Sequence, residues 1–200
     1  MPRPSTRLLS TDLITDTALA LVDRHGDFTM PGLAERLAVR PSSLYNHVAG
    51  RAEIVELMRT RMMAGIEIPA DSRDWSEAVS RIAQEYRRHY ARHPRAIPLF
   101  TAHTVRSAVA FDMYNALATA LSDGGFAPAE VLHAITAVDS FVLGSALDLA
   151  APEQVWASAD EANDAMRAAL ETSGAGRADA AFEFGLAVLI AGLQARSPRS

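Results

Sequence analysis

The stretch VRPSSLYNHVAGR, residues 39–51, crowds two serines, a tyrosine, an asparagine and a histidine between a proline and a glycine, with Leu44 and Val48 as its large apolar residues. On a helix opening at Pro41, Leu44 and Val48 are four residues apart and share one face. The other face shows Ser42, Ser43, Tyr45, Asn46 and His47. These side chains are the size of groups that enter a DNA major groove: asparagine pairs bidentately with adenine, serine serves several base edges, and tyrosine and histidine reach phosphate oxygens. The free N–H groups at a helix start also favour a nearby phosphate. So few buried groups on a short helix imply that its outer face has a use.

Two other spacings could do different chemistry. Glu130 and His133 form the Glu-x-x-His of di-iron bundles, and His89 and His93, one helical turn apart, could share a zinc ion. A di-iron site needs a second Glu-x-x-His and two further glutamates, and no second copy is present in the chain. Zinc hydrolysis needs a third ligand and a general base. Glu130 then fits better as a partner of its helix dipole, and His89 and His93 as a solvated face beside Arg88 and Arg92. A metal-dependent helical enzyme built on these pairs is therefore the weaker alternative, and no catalytic residue, metal or cofactor is assigned.

Composition narrows the classes further. The chain has 200 residues, 49% of them hydrophobic, which suffices for one sizeable core or for a small head on a larger body. Absence of cysteine removes disulfides, thiolate nucleophiles and Cys-ligated metal sites. The net charge of −5 argues against passive binding to a polyanion, yet residues 1–68 balance eight arginines against eight acids, so the deficit lies in residues 69–200. Every lysine-type position is arginine, whose planar fork suits phosphates and guanine edges, although genome composition explains this more simply. The opening MPRPSTRLLSTD lacks the apolar core of a signal peptide, and the run from Phe184 to Leu193 is about half of what spans a bilayer. We expect a cytoplasmic protein that does not engage membrane.

The elements that would position residues 39–51 are all helical. Ile14, Ala18, Leu21 and Val22 recur at helical spacing behind Ser10 and Thr11, and Gly26 ends the run. Thr29 caps a short second helix with Pro31 in its first turn and Leu33, Ala34 and Leu37 inward. Ala38 and Val39 leave almost no connector before a third helix, expected from Pro41 to about Val48. Two short helices so joined make a helix-turn-helix. A longer helix from Arg51 carries Ile54, Val55, Met58 and Met62 towards residue 70. Beyond it, helices are expected at Trp75–Arg92, in a short piece before Phe100, and at Thr104–Ser122, Pro128–Leu149, Asp160–Glu171 and Ala178–Ala195. Gly and Pro clusters separate them. The expected class is all-α, with a domain division at residues 1–68 and 69–200.

FTMPGLAERLAVRPSSLYNHVAGRAEIVELM resembles the DNA-binding head of the TetR family of transcriptional repressors. Trp75, the LYNHV core and ALSDGGFAPAEVLHAITAVDSFVLGSALD are similar to the tetracycline-repressor branch of that family, so the resemblance covers nearly the whole chain. It implies that Arg40, Pro41, Ser43 and Asn46 face bases while Thr29, Ser42, Tyr45, His47 and Arg51 hold the DNA backbone. Arg3 and Arg7 sit in a polar arm ahead of the first helix, where an arginine can enter an adjacent minor groove or simply stay in solvent. Asn46 stands where tetracycline-binding members carry a large aromatic, and Pro31-Gly32 replaces a basic pair, so the operator sequence does not transfer. Ala38 occupies a turn position often given to glycine; a left-handed backbone there would store roughly 1–2 kcal/mol of strain.

For the body, the resemblance implies a small-molecule pocket lined by Tyr86, Phe100, His103, Thr104, Leu117 and Leu132. It also implies a four-helix interface between two subunits, with Val138, Phe141, Val142, Ser145, Phe182, Leu186 and Leu189 as contacts. Gly144, Ala146, Gly185 and Ala187 are small enough for close approach there. A two-fold homodimer supplies the second head that a palindromic double-stranded operator requires. Phe100 falls where the tetracycline repressors place a metal-coordinating histidine, and phenyl has no lone pair to donate. Asp148 matches the position of a supporting acid in those proteins, but one carboxylate is a poor magnesium site. The expected effector is a bulky, partly aromatic hydrophobic compound rather than a metal-tetracycline complex.

Overall fold

The computed structural model describes residues 8–68, 74–152, 154–156, 161–172 and 174–198, and all regular structure among them is helical. Arg3, Arg7 and Asp160 lie outside the described residues. The helices are α1 (Thr11–His25), α2 (Met30–Arg36), α3 (Pro41–Leu44), α4 (Arg51–Met63), α5 (Trp75–Tyr90), α6 (Ile97–Thr101), α7 (Ala108–Asp123), α8 (Pro128–Asp148), α9 (Asp164–Thr172) and α10 (Arg177–Gln194), with a 3-10 turn at Pro94–Ala96 before α6. The chain forms two compact units: Met1–Ile66 with His93–Met113, and Glu67–Arg92 with Tyr114–Ser200. These are drawn differently from the expected division at residues 68 and 69, because the segment 93–113 packs with the N-terminal helices. His93 Nδ1 meets the Asp23 carboxylate at 2.8 Å, and Arg95 donates to the Arg24 carbonyl at 2.7 Å.

In the first unit most of the apolar stripes expected from spacing form the core, although Leu21 and Leu37, expected to face inward, are only half-buried. Ile14, Ala18 and Val22 of α1, Leu33 of α2, Leu44 of α3, and Ile54, Val55 and Met58 of α4 are all fully buried. Each large one contributes about 1.5–3 kcal/mol by leaving water. The Ser10 hydroxyl accepts from the Leu13 N–H to cap α1, and Gly26, at φ 80°, closes it with an N–H to the Val22 carbonyl.

Several boundaries depart from expectation, α9 among them in starting at Asp164 rather than Asp160, and three of the departures have a local physical reason. Helix α3 stops at Leu44 rather than Val48, because the N–H groups of Asn46 and His47 turn to carbonyls only three residues back. Helix α4 ends at Met63, just before Gly65 at φ 82°, rather than continuing towards residue 70. Helix α7 starts at Ala108 instead of Thr104. The Glu56 carboxylate of α4 accepts the N–H groups of Arg106 and Ser107 at 2.7 and 3.0 Å, and the Ser107 hydroxyl takes that of Ala110. Those amides are captured from outside, so the helix begins after them.

The second unit is built on α8, which packs against α5 and α10. Helix α8 is long and apolar enough to cross a membrane by length and composition, unlike the shorter run considered from sequence. Its residues Val131, Ala134, Val138, Val142 and Ala146 are instead core residues of this unit. Arg87 of α5 joins the three helices: it donates to the Ser145 hydroxyl (2.9 Å), the Ala178 carbonyl (3.1 Å) and Asp179 (2.7 Å), and its guanidinium lies 4.5 Å from the Phe182 ring centre. Phe141 stacks on Phe182 at 5.4 Å, and Gly185 admits that ring: a Cβ at residue 185 would lie 2.5 Å from it. At the far end Trp75 meets Phe126 edge-on and lies over Gly124, where a Cβ would come within 2.8 Å of the indole.

Candidate functional site

In the first unit, the turn between α2 and α3 determines what faces outward. The Ala38 N–H bonds to the Glu35 carbonyl and the Val39 N–H to the Ala34 carbonyl, the paired closure that ends many helices in a left-handed residue. That residue is Ala38, at φ 55°, where glycine is usual. After the turn, Leu44 and Val48 point inward at 0% and 3% exposure. Arg40, Pro41, Ser42, Tyr45, Asn46 and His47 are exposed, and Ser43 is half-buried. Thr29 is exposed as well; its hydroxyl oxygen accepts the Gly32 N–H at 3.1 Å, capping α2 and leaving the hydroxyl hydrogen to donate outward. The expected recognition surface is thus gathered on one helix-turn-helix, although half of it rides on a turn rather than on a helix.

Arg51 sits elsewhere. Its guanidinium donates to the Phe28 carbonyl at 2.6 Å and to the Asp27 carboxylate at 2.8 Å, and lies 4.7 Å from the Phe28 ring centre. Desolvation raises the Asp27 carboxyl, but the hydrogen bonds from Arg51 and the Phe28 N–H, with the arginine charge, outweigh it and hold the group below its ordinary value. Arg51 therefore ties the loop before α2 to the start of α4. No sequence pattern announced this clasp, since its partners are more than 20 positions away.

The residues expected to line an effector pocket fall in both units. In the first, Phe100 is buried beneath the Arg59 guanidinium, 4.9 Å from its ring centre, and its carbonyl accepts from Arg59 at 2.9 Å. His103 donates from Nδ1 to the Leu99 carbonyl at 2.8 Å. His103 and Thr104 line a cavity of about 670 Å³ together with Glu53, Glu56 and Arg106. The pair Glu56 and Arg59, one turn apart on α4, holds both ends of the α6–α7 connection: the arginine takes carbonyls at the end of α6, the glutamate takes amides at the start of α7.

In the second unit, Tyr86 and Leu117 are buried, whereas Leu132 is 66% exposed and contributes nothing to an interior pocket of that unit. Tyr86 donates its hydroxyl to Asp139 Oδ1 at 2.7 Å, and Tyr114 donates to the same oxygen at 2.8 Å. Burial is the main reason both phenols are held well above their ordinary pKa, with the nearby Asp139 charge adding to it, so both remain donors. Tyr86 was expected from the sequence to line a pocket, whereas Tyr114 and Asp139 carry no local sequence signal, because only the packing of α5, α7 and α8 brings the three together.

The interface residues also sort differently from expectation. Val138, Val142, Phe182 and Leu186 are 0–4% exposed within the unit itself, so they have no surface left for a second subunit. Phe141, Ser145 and Leu189 are half-buried, Ser145 already accepting from Arg87 and Phe141 stacked on Phe182. On α8 and α10 the exposed large apolar groups are Leu132, Leu147, Phe184 and Val188, with Phe184 at 74% and Val188 at 56% exposure one turn apart on α10. A helix apolar on most of its circumference does not disclose which stripe its own chain covers.

The metal-ligand spacings come apart. Glu130 accepts the Ala127 N–H at the start of α8 and pairs with Arg196. His133 is exposed. His89 is 3% exposed beside Glu85, not part of a solvated face, and His93 belongs to the other unit on Asp23. Asp148 is paired with Arg177 at 2.7 Å. Among the described residues no three His, Cys, Asp or Glu side chains gather in a way that could hold a metal ion.

Comparison with known proteins covers both units. A family model described as "Tetracyclin repressor-like, C-terminal domain" matches residues 68–197. An HTH-type transcriptional regulator of Saccharopolyspora erythraea is 32% identical over 158 residues, 78% of this chain; the chain spans 65% of that protein's length. The class C tetracycline repressor protein of Escherichia coli is 28% identical over 200 residues, covering 93% of this chain and 91% of the repressor. Among solved structures, the TetR family protein ActR of Streptomyces coelicolor in complex with (S)-DNPA superposes with a TM-score of 0.74 over 95% of this chain and 99% of that one, at 24% identity, a likeness of fold.

Proposed function

Because the chain belongs to the TetR family of transcriptional regulators, with a tetracycline-repressor-like C-terminal domain, we propose that it is a ligand-responsive repressor. It binds a palindromic operator as a homodimer and releases it when a small hydrophobic molecule enters its body. The observation that carries this reading is the outward polar face of residues 40–47, seated by Leu44 and Val48 on the core of the first unit. Arg40, Pro41, Ser43 and Asn46 face base edges; Thr29, Ser42, Tyr45 and His47 hold phosphates. Arg51 acts by positioning, since it fixes the first turn of α4 to the loop ahead of α2.

The second subunit docks through the apolar groups left exposed on α8 and α10, Leu132, Leu147, Phe184 and Val188. A two-fold axis then places two heads on successive major-groove faces. The effector contacts His103 and Thr104, which line the cavity of the first unit. Release needs a ligand with unequal affinity for two arrangements of the heads, and the Glu56–Arg59 grip on the α6–α7 connection links His103 and Thr104 to the helix that follows the recognition element. Phe100, in the place of a coordinating histidine, supports a metal-free effector other than a tetracycline complex. The protein works in the cytoplasm, as a regulator rather than an enzyme.

A mobility-shift titration with DNA flanking the chain's own gene tests this. One fragment is retained at a protein concentration that leaves random DNA free; retention of every fragment alike, or of none, overturns the reading.

A further inference from the structure

The cavity that His103 and Thr104 line lies wholly within the first unit and measures about 670 Å³, a volume in the range of small-molecule sites. Ala49, Gly50 and Ala52, around the start of α4, leave this room because none carries more than a methyl group. Most of the surface offered is apolar, and the cavity is open to solvent on one side. Four charged side chains stand on its walls: Arg51, Glu53 and Glu56 from α4, and Arg106 from the α6–α7 connection.

The acids are already offset. Glu56 gives one oxygen to Arg59 and the other to the N–H groups of Arg106 and Ser107. Glu53 accepts the Ala49 N–H and sits in the first turn of α4, where the helix dipole favours a negative charge. The bases are offset less. Arg51 shares its charge with Asp27. Arg106 has its backbone N–H held by Glu56 at 2.7 Å, which fixes where the side chain starts, yet its guanidinium is exposed and makes no hydrogen bond or ion pair among the described residues. The Thr104 hydroxyl has no partner among them either, whereas the Nδ1 hydrogen of His103 is committed to the Leu99 carbonyl. An apolar wall with one planar cationic fork and one spare hydroxyl is what a carboxylate on an apolar skeleton satisfies, because its two oxygens match the fork. A lipophilic amine would find only Glu53, whose charge the amide and the helix start already offset.

We propose that the effector is an apolar carboxylic acid whose carboxylate pairs with the Arg106 guanidinium and accepts from the Thr104 hydroxyl. This rests on the reading of the chain as a ligand-responsive regulator and specifies the ligand class of the same cavity. Arg106 is the binding residue; Glu56 is a positioning residue that holds the Arg106 backbone.

Three molecules with the same apolar cage and different polar groups test it: adamantanecarboxylate, adamantanecarboxamide and adamantanemethylamine, titrated calorimetrically into the full-length protein. The carboxylate binds at least roughly tenfold more tightly than the neutral amide, and the amine more weakly still. Arg106→Gln brings the carboxylate and the amide to within about twofold of each other, since the charge pairing is gone. Should Arg106→Gln fail to fold, as judged by its thermal transition, Arg106→Ala gives the same comparison. Equal affinities in the wild type, a carboxylate preference that survives in the variant, or no binding of any of the three overturns the proposal. The same preparations are assayed for operator retention. Wild-type protein that retains operator but shows no carboxylate preference refutes the ligand class alone, whereas absence of operator binding in the wild type refutes the regulator reading.

Discussion

Asn46 and Tyr45 stand next to each other on the turn that follows α3, both exposed, yet their removal should fail in different ways. An asparagine that pairs with a base edge discriminates one or two positions of the operator. Asn46→Ala should therefore cost about 1–3 kcal/mol on the preferred site and almost nothing on random DNA. A tyrosine hydroxyl on a phosphate sees every sequence alike, so Tyr45→Ala should weaken specific and random DNA together. Fluorescence anisotropy on both kinds of duplex separates the two, and parallel losses for Asn46→Ala would remove it from base reading. These side chains were legible in the chain because their polarity is crowded around only two inward anchors, Leu44 and Val48. Arg51 was not, because its fate is decided by Asp27 and Phe28, distant in sequence. Asp139 was likewise hidden: its two phenolic partners lie 53 and 25 positions away.

Among the elements, the α2–α3 turn is set at Ala38, whose φ of 55° forces a Cβ into a left-handed backbone. Ala38→Gly should relieve about 1–2 kcal/mol of strain and lose part of that to the greater freedom of glycine in the unfolded chain. The net gain of about 0.5–1 kcal/mol should raise Tm by roughly 1–4 °C for a chain of this size. A thermal melt that does not rise would show that the turn carries no such strain. The opposite case is Gly185, where an added methyl meets the Phe141 ring at 2.5 Å and that ring is already stacked on Phe182. Gly185→Ala should destabilise by about 1–3 kcal/mol through overpacking; a melt unchanged from wild type would mean that α8 and α10 yield more easily than their contacts suggest. Helix existence was readable from spacing and caps for these elements. Their ends were less so wherever another part of the chain takes the backbone groups, as Glu56 takes the amides ahead of α7.

For the whole molecule, the apolar circumference of α8 and α10 announced that these helices are covered on more than one side, but not by what. Their own chain covers Val138, Val142, Phe182 and Leu186, and Phe184 and Val188 remain exposed, the stripe on which the proposed second subunit docks. Phe184→Glu should convert the dimer to a monomer in sedimentation experiments while the thermal transition of the single chain persists, because the side chain is 74% exposed and supports no internal packing. A variant that stays dimeric would move the interface to another face. A monomer would also lose operator affinity, since each head alone grips only one half-site. The most direct test of the account is a titration of the wild-type protein on DNA flanking its own gene, with sedimentation of the complex. The account predicts selective retention of one fragment over random DNA, two chains per site, and loss of that selectivity in Asn46→Ala. A monomer that treats every fragment alike would contradict it.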